Sequence, residues 1–223
     1  MDFTVPVDRD GVLLLDDFDA IGQRLTASGT TRLVNVTVGP EEVHARDEHI
    51  PDNPWQGSFP QLYLCAVQSG IAAAALDDAI ALTREKARPI KHSSAGTSAD
   101  DPYVREVVGE IAAHAQAAQA VVRFAAEELD AVRGLTGAEA RTAGAQASVA
   151  VAQAGVTAIA SALRAAELLF DIGGGSITNR DLGCDRHWRN ARTVANHNPR
   201  RWRAAVAGAY HLTGEQPPTT GLF

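Results

Sequence analysis

Residues 103–132 read YVREVVGEIAAHAQAAQAVVRFAAEELDAV. Val104, Val107, Val108, Ile111, His114, Ala115, Ala118, Val121, Val122, Ala125 and Leu129 recur three and four apart. That spacing puts them on one face of a helix about thirty residues long. Asp101-Pro102 supplies a start signal, and Gly134 and Gly137 bracket a turn after it. Two similar stretches flank it. Leu62, Ala66, Ser69, Ala73, Leu76, Ile80 and Thr83 mark a helix from Phe59 that Pro89 stops. Ala138 to about Phe170 is dominated by alanine, with Val149, Val156, Ile159, Leu163 and Leu168. Small residues let helices approach closely, so this one is expected at the centre. A fourth helical stretch starts near Asp185, is interrupted at Pro199 and continues from Trp202 to Leu212. Long helices joined by short loops predict an antiparallel four-helix bundle over residues 59–213.

The first ~45 residues read differently. Phe3–Val7 and Val12–Leu15 are short apolar runs on either side of Asp8-Arg9-Asp10-Gly11, a turn signal. Thr30 to Val38 alternates with period two and is expected to form a half-buried strand ended by Gly39-Pro40. About three strands are predicted, too few to be stable unless packed on something else. The expected organisation is a β segment over 1–45, a linker over 46–58 with Pro51 and Pro54, the bundle over 59–213 and a tail over 214–223.

The 223 residues are 45% hydrophobic and 21% charged, ordinary for a globular chain. The net charge of −7 argues against a nucleic-acid binder. Cys65 and Cys184 are far apart and fit no CxxC or zinc pattern, so no metal is expected and the default is two reduced thiols in a cytoplasmic protein. No unbroken apolar run approaches the ~20 residues of a membrane span, and residues 1–10 have no signal-peptide pattern.

Chemistry concentrates between Gly173 and Pro199. Gly173-Gly174-Gly175-Ser176 must form a loop, and its amides suit an anion. Arg180, Arg186, His187, Arg189, Asn190, Arg192 and His197 follow, and arginines suit phosphate. A Gly-rich connection before a solvated basic helix would look the same. His197, before Asn198-Pro199 where the helix breaks, is placed either to aim an imidazole into a cavity or to bond a free carbonyl. His114 on its apolar stripe reads as a core residue, and His44, His49 and His92 as exposed. Arg84, Lys86, Arg88 and Lys91 close the first helix, where cations favour the helix dipole or contact phosphate. Cys65 is expected in the core and Cys184 in a loop.

Leu182-Gly183-Cys184-Asp185-Arg186-His187-Trp188-Arg189-Asn190-Ala191-Arg192-Thr193, followed by His197-Asn198-Pro199, resembles the C-terminal segment of the acyl-CoA dehydrogenase superfamily. It is most similar to the flavin-dependent monooxygenase branch, typified by dibenzothiophene monooxygenase and sulfur-acquisition oxidoreductases. Asp16–Arg24 and Ala27–Thr30 resemble the second half of that family's middle β-domain. The resemblance implies a β-domain fragment followed by a four-helix bundle, with FMN (or FAD) bound between them. It also implies a homo-oligomer, dimer or tetramer, with phosphate contacts from a neighbouring subunit. By position, Lys86 and Arg88 match the family's basic residues, Gly173, Gly174 and Ser176 its glycine loop, and His197 the histidine beside the flavin ring. The implied reaction transfers oxygen to a small sulfur-containing or aromatic molecule, with reduced FMN from a flavin reductase.

The sequence departs from the pattern at three points. The dehydrogenase glutamate falls on Asn198, a neutral amide that cannot abstract a proton. Val194 replaces a second histidine of the monooxygenase branch. The resemblance begins inside the middle domain, so the chain matches roughly the last half of a family member. Two other readings therefore stand beside the monooxygenase: a dehydrogenase with a displaced base, and a helical oligomerisation module without turnover.

Overall fold

The computed structural model describes residues 2–44, 55–221 and 223. Most of the expected linker, with Pro51, Pro54 and His49, lies outside the described residues. The fold is mainly helical. Helix α1 spans Ser58–Glu85, α2 Pro102–Val132, α3 Gly137–Leu168, α4 Asp185–Val194 and α5 Arg200–Thr213. The three long helices and the α4–α5 pair make the bundle, the fourth element broken before Pro199 as the sequence predicts.

The start of α2 shows how sequence becomes structure here. Asp101 is extended and its carboxylate accepts from the N–H of Tyr103 (2.8 Å) and Val104 (3.4 Å). Pro102 then occupies the first turn, where its missing N–H costs nothing. The Ser93 hydroxyl and these two N–H groups together hold the Asp101 carboxyl below the usual carboxylate range.

Helix α2 runs against both α1 and α3, which are parallel to each other. One core joins Ala72, Ala75, Ala79 and Leu82 of α1, Val104, Ile111 and Ala118 of α2, and Ala158, Ala162 and Ala165 of α3. These facing alanines remove the bulk that would hold the axes apart. Helices α1 and α3 are in fact long and apolar enough to cross a membrane, which corrects the reading from run length alone. For α3 that stretch is 67% buried inside the protein, as a central bundle helix must be.

The β segment departs most from expectation. Among the described residues it has four strands, where about three are expected, in two separate pairs. Strand β1 (Asp2–Phe3) pairs with β4 (Val43–His44), and β2 (Val12–Leu14) with β3 (Thr31–Leu33), all antiparallel. The Asp8–Gly11 turn therefore separates strands that do not pair with each other. Strand β3 is exposed rather than half-buried and stops early, because Asn35 takes φ +53° and turns the chain. The segment is held by polar contacts instead. Arg9 pairs with Glu42 and donates to Thr37 O (2.8 Å), and Asp17 accepts from Thr30 N (2.7 Å).

The stretch after Thr213 folds back on the bundle. Phe223 is 1% exposed and packs with Ala125, Ala150 and Val151. Gly57 and Gly221 touch backbone to backbone; a Cβ on Gly221 would lie inside Gly57 O.

Candidate functional site

The arginine-rich stretch on α4 is a fastener. Arg186 and His187 both reach Asp78 of α1, His187 Nε2 at 2.8 Å from Asp78 Oδ2. His187 is buried. Gln68 Nε2 donates to Ala191 O (2.8 Å), so α4 lies antiparallel along α1. On its other side α4 grips the β segment. Arg189 donates to Ile21 O (2.8 Å), and Asn190 Oδ1 accepts from Gln23 N (2.7 Å). Gly22 fits between them only because it lacks a side chain: a Cβ there would lie 2.3 Å from Arg189 O. Arg186 and Arg189 are thus committed within the chain, which corrects their reading as phosphate donors. Cys184, expected in a loop, is buried in the core at the start of α4, and burial pushes its thiol pKa up.

The predicted cofactor residues gather at one end of the bundle. Lys86 caps α1, its N–H donating to Leu82 O (3.0 Å), and both Lys86 and Arg88 are exposed. Gly173, Gly174 and Ser176 lie where the chain leaves α3. The expected loop is built of short 3-10 turns, Leu169–Ile172 and Gly175–Thr178. Ile172 and Ile177 pin these turns to the core that holds Leu82. Gly174 and Gly175 have open space where a Cβ would stand, and neither has a positive φ. Packing within the chain therefore does not require glycine there; the backbone is left accessible from outside.

His197 lies elsewhere. It is exposed beyond the end of α4, its N–H donating to Val194 O (3.1 Å). The neighbouring contacts place it beside residues 61–68 of α1, since Ala191 meets Gln68 and Arg203 meets Gln61. Gln68 and Lys86 are roughly 27 Å apart along the helix at 1.5 Å per residue. Within one chain, His197 and the two cations do not meet. His114 is half-buried on α2, and His44 and His92 are exposed.

Two features near His197 had no sequence signal. Asn198 Nδ2 donates to Phe223 O (3.1 Å), at the edge of an apolar cavity of about 470 Å³ lined by Pro199, Trp202, Val206, Pro218 and Phe223. Arg203 is 3% exposed, donates to Gln61 Oε1 (2.7 Å) and reaches the Cys65 thiol at 3.8 Å. Gly155 makes room for it, because a Cβ there would lie 2.6 Å from Arg203 Cδ. Burial lowers the Arg203 pKa and raises that of Cys65. Among the described residues no cluster of three metal-ligating side chains forms.

The chain is similar to known proteins over nearly its full length. It is 35% identical over 222 residues to a dibenzothiophene monooxygenase of Mycolicibacterium goodii, covering 96% of this chain and 53% of that protein. It is 32% identical to a probable FMNH2-dependent monooxygenase, SfnC, of Pseudomonas putida, covering 96% and 54%. Among solved structures it superposes on methanesulfinate monooxygenase MsuC of Pseudomonas fluorescens with a TM-score of 0.89 at 30% identity, covering 99% of this chain and 58% of that one. FMN-bound TdsC of Paenibacillus sp. A11-2 gives a TM-score of 0.89 at 28% identity, covering 98% and 56%. The chain thus spans about half the length of the curated relatives it matches. Residues 62–202, well over half the chain, match the family described as Acyl-CoA dehydrogenase, C-terminal domain, and the protein belongs to that family.

Proposed function

We propose that this chain is the C-terminal portion of a flavin-dependent monooxygenase that uses reduced FMN and oxygenates a small sulfur-containing or aromatic molecule. The observation that carries the reading is the 35% identity to dibenzothiophene monooxygenase, sustained over 96% of the chain. Asn198 supports it against the dehydrogenase alternative, since an amide is no base for proton abstraction.

The residues present fit the phosphate end of FMN. Two exposed cations, Lys86 and Arg88, share one end of the bundle with glycine turns whose backbone is open to the outside. Lys86 and Arg88 would hold the phosphate by charge, and the stretch from Gly173 to Ser176 would add neutral N–H donors. FMN, when bound, supplies the oxygen-activating chemistry. His197 would hold or relay a proton near the reacting centre, a role suited to imidazole at neutral pH. Because His197 and the cations do not meet within one chain, a complete site needs a second copy, and we place the protein in a homo-oligomer. A separate flavin reductase would deliver reduced FMN. The same cations accept the phosphates of FAD; FMN is preferred because relatives are named for it. We assign the protein to the cytoplasm, where its two buried cysteines would stay reduced.

The test is flavin binding followed by turnover. Joined to an N-terminal half such as that of the Mycolicibacterium goodii relative, the chain should bind FMN and, with a flavin reductase, oxidise dibenzothiophene. His197→Phe should keep FMN affinity and lose product. A colourless protein that ignores added FMN and makes no product would leave the helical oligomerisation module as the reading.

A further inference from the structure

Arg203 sits in the first turn of α5, is 3% exposed and takes no part in the flavin site. A guanidinium stays protonated in proteins, so this is a buried cation. Its partners are neutral. Gln61 Oε1 of α1 (2.7 Å) is an amide oxygen, and the Cys65 sulfur (3.8 Å) is a thiol that burial keeps protonated. No carboxylate pairs with Arg203 among the described residues. Its Nε is buried without a partner, and so is Oε1 of Gln68. A gap lined by Arg203, Gln68 and Val194 is too small to hold a water molecule, so no solvent there completes either group.

A charge buried in this state costs stability. Room is nevertheless left for it, because Gly155 of α3 forms the slot in which Arg203 Cδ lies. A side chain that costs stability and still has its own slot points to a role other than holding the fold. Its connections show which one. Through Gln61 it ties the start of α5 to α1, and through Gly155 it lies against α3. Val194, across the gap, ends α4, and its carbonyl accepts from the His197 N–H (3.1 Å). The short link 195–199 is therefore held at α4 by Val194 and at α5 by Arg203. His197 stands within that link, and its exposed imidazole has no hydrogen bond among the described residues.

We infer that Arg203 is a positioning residue for His197: its buried hydrogen bond to Gln61 fixes the start of α5 and with it the place of the imidazole. The inference rests on His197 serving the reaction of the proposed monooxygenase, and it adds the residue that aims it.

Arg203→Met is the test, because it removes the charge and keeps an apolar stem among Leu64, Ile159 and Val194. Replacing a buried charge by an apolar side chain of similar volume is often neutral or stabilising, so the thermal midpoint should equal or exceed the parent's. In the chain alone, the His197 imidazole signal in NMR, identified by its loss in His197→Phe, should shift or broaden. Joined to the N-terminal half of the Mycolicibacterium goodii relative, Arg203→Met should keep FMN affinity and substrate KM. Its kcat should fall by about ten- to hundredfold, the scale of a misplacement of about 1 Å. Arg203→Lys, whose ammonium can still donate to Gln61, should recover much of that loss. The inference is overturned if Arg203→Met leaves the imidazole signal and kcat unchanged. It is equally overturned if the thermal midpoint, FMN affinity and kcat all fall together, which would make Arg203 a residue of the fold. A joined parent that never turns over would sink the monooxygenase reading instead, and the imidazole signal would still decide whether Arg203 sets the place of His197.

Discussion

The bundle and the β segment are held by different physics. The bundle buries its own apolar residues: Ala72, Ile111, Ala118, Ala158 and Ala162 are all at 0% exposure. The β segment has strands of two or three residues and leaves Leu13, Leu14 and Leu33 about half exposed. It keeps its place through Arg9–Glu42, Asp17–Thr30 and the clamp from α4 onto Ile21, Gly22 and Gln23. One region therefore carries its own hydrophobic stabilisation, and the other borrows its position from the first.

The largest expected effect tests that asymmetry directly. Ile111→Ala should destabilise the protein by about 2–5 kcal/mol in urea unfolding, because it leaves a cavity between three helices. Leu13→Ala, in the exposed strand, should change stability by less than about 0.5 kcal/mol. Equal effects would mean that the β segment has a core after all.

A smaller loss is expected at the joint. Asp78 accepts from both Arg186 and His187, so Asp78→Ala leaves a buried imidazole without its partner. The cost should be about 1–3 kcal/mol. Hydrogen exchange should rise in α4 before it rises in α2. Uniform exchange across both helices would show that α4 is not fastened at this point.

Smaller still in global stability, but sharper in location, is Gly22→Ala. The added methyl would collide with Arg189 O and push the β segment off α4. Limited proteolysis should then cut within residues 2–44 while the thermal midpoint of the bundle stays within a few degrees. Loss of the bundle together with the segment would contradict the division drawn above.

The same asymmetry explains what the sequence disclosed. Helices α1, α2 and α3 were legible because their apolar spacing is local and their ends carry local signals, Asp101-Pro102 and Pro89 among them. The β segment was only half legible. Alternation from Thr30 to Val38 looks like one strand, but Asn35 turns the backbone, and pairing partners such as Val12 and Leu33 are fixed by packing that spacing does not encode. The α4 arginines show a similar limit. Their number suggested an anion, whereas Arg186 finds Asp78 some 108 positions away and Arg189 finds a backbone carbonyl 168 away. The family resemblance located His197, Lys86 and Arg88 along the chain, yet it could not show that a single copy holds them far apart.

Acid offers the gentlest probe of both regions. Asp101 in the bundle and Asp17 and Glu42 in the β segment all have carboxyl pKa values held below the usual range. In each case the folded state binds its proton less readily than the unfolded chain. The stabilisation is therefore complete above the ordinary carboxylate pKa near 4 and is lost as pH falls through the lower folded value. Asp101→Asn separates the two regions. Asparagine also caps helices, so the thermal midpoint near neutral pH should change by only a few degrees. Below pH ~4 the variant should show a shallower decline of that midpoint than the parent, because one titrating carboxylate is gone. Exchange in the β segment, governed by Asp17 and Glu42, should keep its acid sensitivity. If Asp101→Asn flattened the β segment's response as well, the two regions would be coupled more tightly than the α4 clamp alone explains.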